Sequence, residues 1–264
     1  MKGGKMPKVK AQGKKPETPG WMKGWLNPRK LYREKDAFGS TFAKYFRNDL
    51  KGQINDLLAL RDPSKMTALE IGPGAKHVIG DMGFKEKNFM DISGKVLDSL
   101  KKGLEKEGHA NNTNYFRGAV ERLPFGRGRR FGIVVANEVF THVRPADRIR
   151  AAEGLADISD FLVITDREPR KLYENESPAI RAGFVNPKKI ADALVRKGFD
   201  VHIHRPIRQL VERGQGEDYF IIRAERATNP KDARLLDFES LKMLRDFLRE
   251  DTELMRKFGY PKKR

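Results

Sequence analysis

The sequence predicts an α/β protein built on a mainly parallel β-sheet, and three observations predict it. Short apolar runs alternate with stretches of helical periodicity through the middle of the chain, the pattern of strand-helix-strand units. A tight glycine turn, Gly72-Pro73-Gly74, directly follows the first apolar run, where an open α/β sheet places its ligand crevice. Two competing classes are excluded: with no cysteine there is no disulfide scaffold, and no window approaches the roughly 20 apolar residues of a membrane helix.

The elements follow in order. Met1 to about Gly20 is Lys, Gly and Pro with almost no large apolar residue, so it cannot repay its ordering entropy and reads as disordered. Trp21 and Trp25 come next, and either pin this tail to the domain or stack on nucleobases. Phe42, Phe46, Leu50, Ile54, Leu57 and Leu58 recur at helical spacing, which predicts an amphipathic helix over 38–61 beside the first strand, ended by Asp62-Pro63. The strands expected after it are Thr67–Gly72, Asn88–Ile92, Asn114–Arg117, Phe131–Ala136, Phe161–Thr165, Asp200–His204 and Asp218–Arg223. A helix should follow the glycine turn. Ser93 is placed to cap another, with Leu97, Leu100 and Leu104 inward and Gly108 as its stop. Asn186-Pro187 opens a third, with Ile190 and Leu194 inward and Gly198 at its end. The last two strands have the order of an antiparallel hairpin. Beyond Asn229-Pro230 the leucines from Leu235 to Leu248 predict one or two terminal helices. The expected organisation is a basic tail over 1–35, a central domain over 36–228 and a helical extension over 229–264.

The formal net charge is +18, and 11 of the first 35 residues are basic against two acids, so half of the excess lies in the tail. Such a chain favours anionic partners, RNA or DNA foremost. Arg127-Gly128-Arg129-Arg130 and Arg205, Arg208 and Arg213 carry the positive character into the loops of the domain. The first residues contain no apolar run of the signal-peptide kind, and the expected location is cytoplasmic. The sequence predicts no membrane contact and no metal, and leaves the oligomeric state open.

Chemistry begins at Ala68-Leu69-Glu70-Ile71-Gly72-Pro73-Gly74, where glycines let the backbone approach a ligand without a Cβ in the way. Asp91 closes the next strand about 17 residues later, where an acid can accept both hydroxyls of a ribose. Two further segments follow in order, Gly118-Ala119-Val120-Glu121-Arg122-Leu123-Pro124-Phe125 and Phe131 to Val143, the latter containing Asn137-Glu138-Val139-Phe140-Thr141-His142. Lys197-Gly198-Phe199-Asp200-Val201 then leads a late helix into a strand.

These ordered motifs, covering about residues 66–225, resemble the class I S-adenosylmethionine-dependent methyltransferases, in particular the small domains typified by ubiquinone and menaquinone biosynthesis enzymes. The resemblance implies a Rossmann-like seven-stranded sheet with helices on both faces, an antiparallel last strand, and S-adenosyl-L-methionine as cofactor. It places Glu70, Gly72 and Gly74 at the methionine end, Asp91 at the ribose and Ile92 on one face of the adenine. Ala119 and Val120 fall at the adenine edge and Asn137 beside the sulfonium. Three positions depart from the family pattern: Lys76 stands where a third glycine is common, Ala119 where an acid usually accepts the adenine amine, and Gly132 where an Asp usually follows Phe131. Losing the acid-to-amine bond weakens binding by roughly 1–3 kcal/mol. Lys76 either pairs with the cofactor carboxylate or is a solvated lysine at a helix start.

Methyl transfer from a sulfonium is an in-line displacement with a neutral leaving group, so alignment supplies much of the catalysis and a base is optional. His142 is the first choice for a base, with Glu138, Asp166 and Glu168 also at strand ends; a histidine packed at a helix start is the competing account of His142. The absence of cysteine closes the covalent route to C5 of pyrimidines. Asn137-Glu138-Val139-Phe140 is not the motif of exocyclic amino methylases, and no Lys-Asp-Lys-Glu set of ribose methylation is evident. Ring nitrogens, small-molecule oxygen or nitrogen atoms and protein side chains remain. The expectation is a methyltransferase acting on RNA or another anionic substrate; a small-molecule methyltransferase and a catalytically silent nucleic-acid-binding scaffold are the alternatives.

Overall fold

The computed structural model describes residues 50–74, 77–126, 128–168, 185–204 and 218–236. The tail with its tryptophans, Lys76, Arg127, Arg205, Arg208, Arg213, the Glu168 side chain and the segment beyond 236 lie outside that description.

Eight strands form one sheet: β1 (Thr67–Ile71), β2 (Glu86–Asp91), β3 (Thr113–Arg117), β4 (Phe131–Asn137), β5 (Ser159–Glu168), β6 (Phe199–His204), β7 (Asp218–Arg226) and β8 (Leu235–Leu236). Their spatial order is β3-β2-β1-β4-β5-β7-β6-β8. The first five run parallel, and β7 is antiparallel to both of its neighbours. All seven expected strands are present, the last two pairing as a hairpin would. The eighth is a correction: Leu235 and Leu236 do not begin a helix but pair parallel with Val201 and His202 at the sheet edge.

Register fixes what the two edges display. Ile71 lies beside Met90 and Ala136, Asp91 beside Arg117, and Asn137 beside Thr165. The carboxyl ends of β1 to β5 therefore make one row. At the other end Thr67 pairs with Glu86, Ala68 with Ile133 and Phe131 with Ser159.

Both faces of the sheet are covered, because parallel strands buried on two sides need apolar residues at every position. On one face, Leu50, Ile54 and Leu58 of a helical segment pack with Ala68, Ile133, Val135 and Phe161. Helix α1 (Gly94–Lys106) completes this layer through Leu97, Leu100 and Leu104, with the Ser93 hydroxyl accepting from the Val96 N–H and Gly108 at φ +75° just past its end. Helices α2 (Arg148–Asp157) and α3 (Pro187–Arg196) cover the opposite face. Asn186 caps α3 by accepting from the Lys189 N–H, and Gly198 follows it at φ +81°. Helix α2 was not expected: its buried face is Ala151, Ala152, Leu155 and Ala156, small residues that leave a faint apolar period.

A second correction concerns the β1 to β2 connection. Among its described residues there is no helix; residues 77–85 form turns. Two buried charges hold them instead. The fully buried Glu70 carboxylate accepts the Val78 N–H at 2.9 Å and the Ile79 N–H at 3.0 Å. From β2, the buried Lys87 ammonium donates to the Gly80 carbonyl and to the His109 carbonyl, each at 2.8 Å. Lys51 and Asp81 add an ion pair at 2.6 Å, and the His77 ring meets Glu107 at 3.2 Å.

Candidate functional site

The carboxyl edge of the parallel strands gathers the residues the sequence singles out. Strand β1 ends in Gly72 at φ +64° and Gly74 at φ +58°, left-handed conformations that a side chain strains to adopt. Gly72 is also tightly enclosed: a Cβ there would lie 2.7 Å from Cγ2 of Val139, which follows β4. Its N–H donates to the Met90 carbonyl at 2.8 Å, binding the turn to the end of β2. One reason for glycine here is thus the approach of Val139, which sequence reasoning did not find.

Asp91 ends β2, half-buried, with its carboxylate accepting the Ser93 N–H at 2.7 Å. Burial pushes its pKa above the ordinary carboxylate value, and it makes no ion pair with the described residues. A desolvated carboxylate without a cation is available to neutral donors such as sugar hydroxyls. Beside it Ile92 is 42% exposed, one of two large hydrophobics exposed among the described residues, the other being Leu60. An apolar side chain held open next to an acid is the pair of contacts a nucleoside needs: a plate for the base and an acceptor for the ribose hydroxyls.

The segment after β3 closes one side. Gly118 N–H donates to the Asp91 carbonyl at 3.0 Å, bringing Ala119 and Val120 next to the end of β2. Val120 is buried in the core, whereas Ala119 is half-buried in a short turn with Arg122. The row continues with Asn137, whose side-chain oxygen accepts from the Thr165 hydroxyl at 2.6 Å. Glu138 follows at φ +53°, unusual for a residue with a side chain, and its N–H donates to the Thr165 carbonyl at 2.9 Å. His142 ends the short 3-10 turn Phe140–His142, half-buried.

Two predicted residues have structural duties. Glu70 points into the core and holds the Val78 and Ile79 amides, anchoring the connection that follows the glycine turn. Asp166, considered above as a base, is fully buried; it accepts the Thr141 N–H at 3.0 Å and faces the buried Arg148 guanidinium. It holds the turn that carries His142. Gly132 lies elsewhere, at the amino edge, where a Cβ would meet the Met66 side chain at 2.9 Å and the Thr67 carbonyl at 3.4 Å. That departure from the family pattern leaves the carboxyl edge untouched; Ala119 does not.

No protein-family model matches the sequence, and no curated protein matches it. Solved structures do. Magnesium protoporphyrin IX methyltransferase from Synechocystis PCC 6803, with bound SAH, superposes with a TM-score of 0.61 at 15% identity over 78% of this chain and 98% of that one. The N-methyltransferase NodS from Bradyrhizobium japonicum WM9 gives 0.52 at 12% identity over 69% and 97%. The 4+2 cyclase SpnF gives 0.57 at 11% identity over 74% and 86%. The fold is that of the class I S-adenosylmethionine-dependent methyltransferases. The cyclase demonstrates that this scaffold also carries other chemistry, so function has to be argued from the site.

Proposed function

We propose that this protein is an S-adenosylmethionine-dependent methyltransferase acting on RNA or another anionic substrate by direct in-line transfer. The observation that carries the cofactor reading is Asp91 beside Ile92: a desolvated acceptor and an exposed apolar plate at the carboxyl edge, next to the Gly72–Gly74 turn. When bound, the cofactor supplies an electrophilic methyl group on a sulfonium. Asp91 would accept the ribose hydroxyls, Ile92 and the Ala119–Val120 turn would border the base, and Asn137 would lie beside the sulfonium. Thr165 holds Asn137, Asp166 holds the turn that carries His142, and His142 or Glu138 would take a proton where the acceptor has one to lose. The overall charge of +18 supports an anionic acceptor through counterion release. Ala119 supplies no carboxylate for an adenine amine, which favours modest affinity and is the one observation behind the alternative of a silent, nucleic-acid-binding scaffold.

Calorimetry with S-adenosylhomocysteine separates the two. Wild type binds, and Asp91→Asn binds at least about tenfold more weakly, since a hydrogen bond to a charged group contributes about 1.5–3 kcal/mol. Burial raises the pKa of Asp91 in the folded state from 3.8, so its charge lowers stability as pH rises through that interval. Asp91→Asn therefore keeps or raises the Tm at neutral pH. No binding by wild type at millimolar ligand would falsify the enzyme reading.

A further inference from the structure

The amino edge of the sheet, opposite the candidate cofactor site, carries a second concave surface. It is an open cleft of about 460 Å³. Four cations reach it from three segments: Arg61 and Lys65 from the turns between the first helical segment and β1, Lys85 just before β2, and Arg130 just before β4. The three segments are distant in sequence and converge only in the folded chain, which distinguishes them from a solvated charge run.

Met66, Thr67 and Gly132 line the cleft between these cations, with the Met66 side chain lying against the Gly132 backbone. Two acids line the walls and each pairs with one cation: Asp62 meets Lys65 at 3.3 Å, and Asp160 pairs with Arg130. The Arg61 side chain rests over the Phe161 ring and stays 53% exposed, and its contact with Glu225 is long, at 3.5 Å. Lys85 makes no ion pair with the described residues. Four cations against Asp62, Asp160 and Glu225 leave the cleft at +1, with donors on several sides of one hollow.

We infer that this cleft binds the phosphodiester backbone of a nucleic acid whose modified nucleotide lies at the opposite edge of the sheet. Guanidinium and ammonium groups converging on one hollow suit phosphate oxygens, which Arg and Lys contact without reading sequence. The geometry also sets a length. Strands of five to seven residues separate the two edges by roughly 20 Å at about 3.3 Å per residue, and because helices cover both faces the path around them takes more than about six nucleotides at 3.4 Å of rise each. A mononucleotide cannot engage both edges. The inference locates the substrate class of the proposed methyltransferase, and it rests on that reading only for the role of the opposite edge.

The test measures binding of a fluorescent 12-nucleotide single-stranded RNA to the full chain by anisotropy across a salt series, with S-adenosylhomocysteine affinity measured in parallel. Arg61→Gln/Lys85→Gln removes two phosphate contacts, so binding weakens about fivefold to tenfold and the slope of log K against log salt falls by about 1.4, at about 0.7 per contact. Lys85→Arg retains binding. The control Lys101→Gln/Lys102→Gln, exposed on α1, changes both quantities by less than half as much. Equal losses in cleft and control variants, or no loss in the cleft variant, overturn the inference. Loss of S-adenosylhomocysteine binding in wild type defeats the cofactor reading instead and leaves the RNA result standing.

Discussion

The connections leaving β1 and β2 lie on the same face of the sheet and solve the same problem in opposite ways. Between β2 and β3, α1 satisfies its own backbone hydrogen bonds and needs side chains only for packing and a Ser93 cap. Between β1 and β2 the described residues turn without a helix, and their buried amides and carbonyls need outside partners. Glu70 supplies the acceptor and Lys87 the donors. The comparison teaches that two buried charges here take over work usually done by backbone periodicity, and that this work concentrates stability in two residues adjoining the glycine turn.

Breaking the charged connection should produce the largest effect. Glu70→Ala leaves the buried Val78 and Ile79 N–H groups without their acceptor; about 3–5 kcal/mol of unfolding free energy is lost in urea denaturation. Lys87→Met loses about 2–3 kcal/mol in the same measurement, since the methylene stem still packs. Both variants weaken S-adenosylhomocysteine binding, because the glycine turn loses its support. The helical connection responds less: Ser93→Ala loses about 1 kcal/mol, and the calorimetric affinity shifts by less than threefold. The smallest effect is a pH dependence confined to the charged connection. Burial holds the His77 pKa below its ordinary 6.5 despite Glu107, so the folded state prefers the neutral ring. Stability contributed by His77 is complete above pH 6.5 and is lost as pH falls through the interval below it. His77→Gln flattens the Tm profile below pH 6.5, which a thermal melt series reads directly; an unaltered slope assigns it to another group.

Much of this architecture was legible because strands and capped helices announce themselves locally. Ser93 with Leu97, Leu100 and Leu104, and Asn186-Pro187 with Gly198, are cap-to-stop sentences complete within one segment. The order of glycine turn, strand-end acid and Asn137 was equally local, and register brings these residues to one edge. What could not be read depends on partners far along the chain. The glycine turn was expected to open a helix, and the tertiary clamp by Glu70 and Lys87 replaced it. Leu235 and Leu236 suited a helix by composition, yet an open β6 edge offered a strand pairing. Asp166 had the right type and place for a base but lies under the turn it supports, a distinction only burial reveals.

Met66 and Gly132 share one volume at the amino edge, with the sulfur-bearing side chain occupying the space a Cβ would need. Restoring the aspartate that the resembling family carries after Phe131 therefore meets a neighbour already in place: its Cβ would lie 3.2 Å from that of Met66 and 2.9 Å from its methyl. The methyl ends a flexible side chain and can swing aside, so Gly132→Ala costs mainly a new Met66 rotamer and a shift of a few tenths of an ångström at its Cβ.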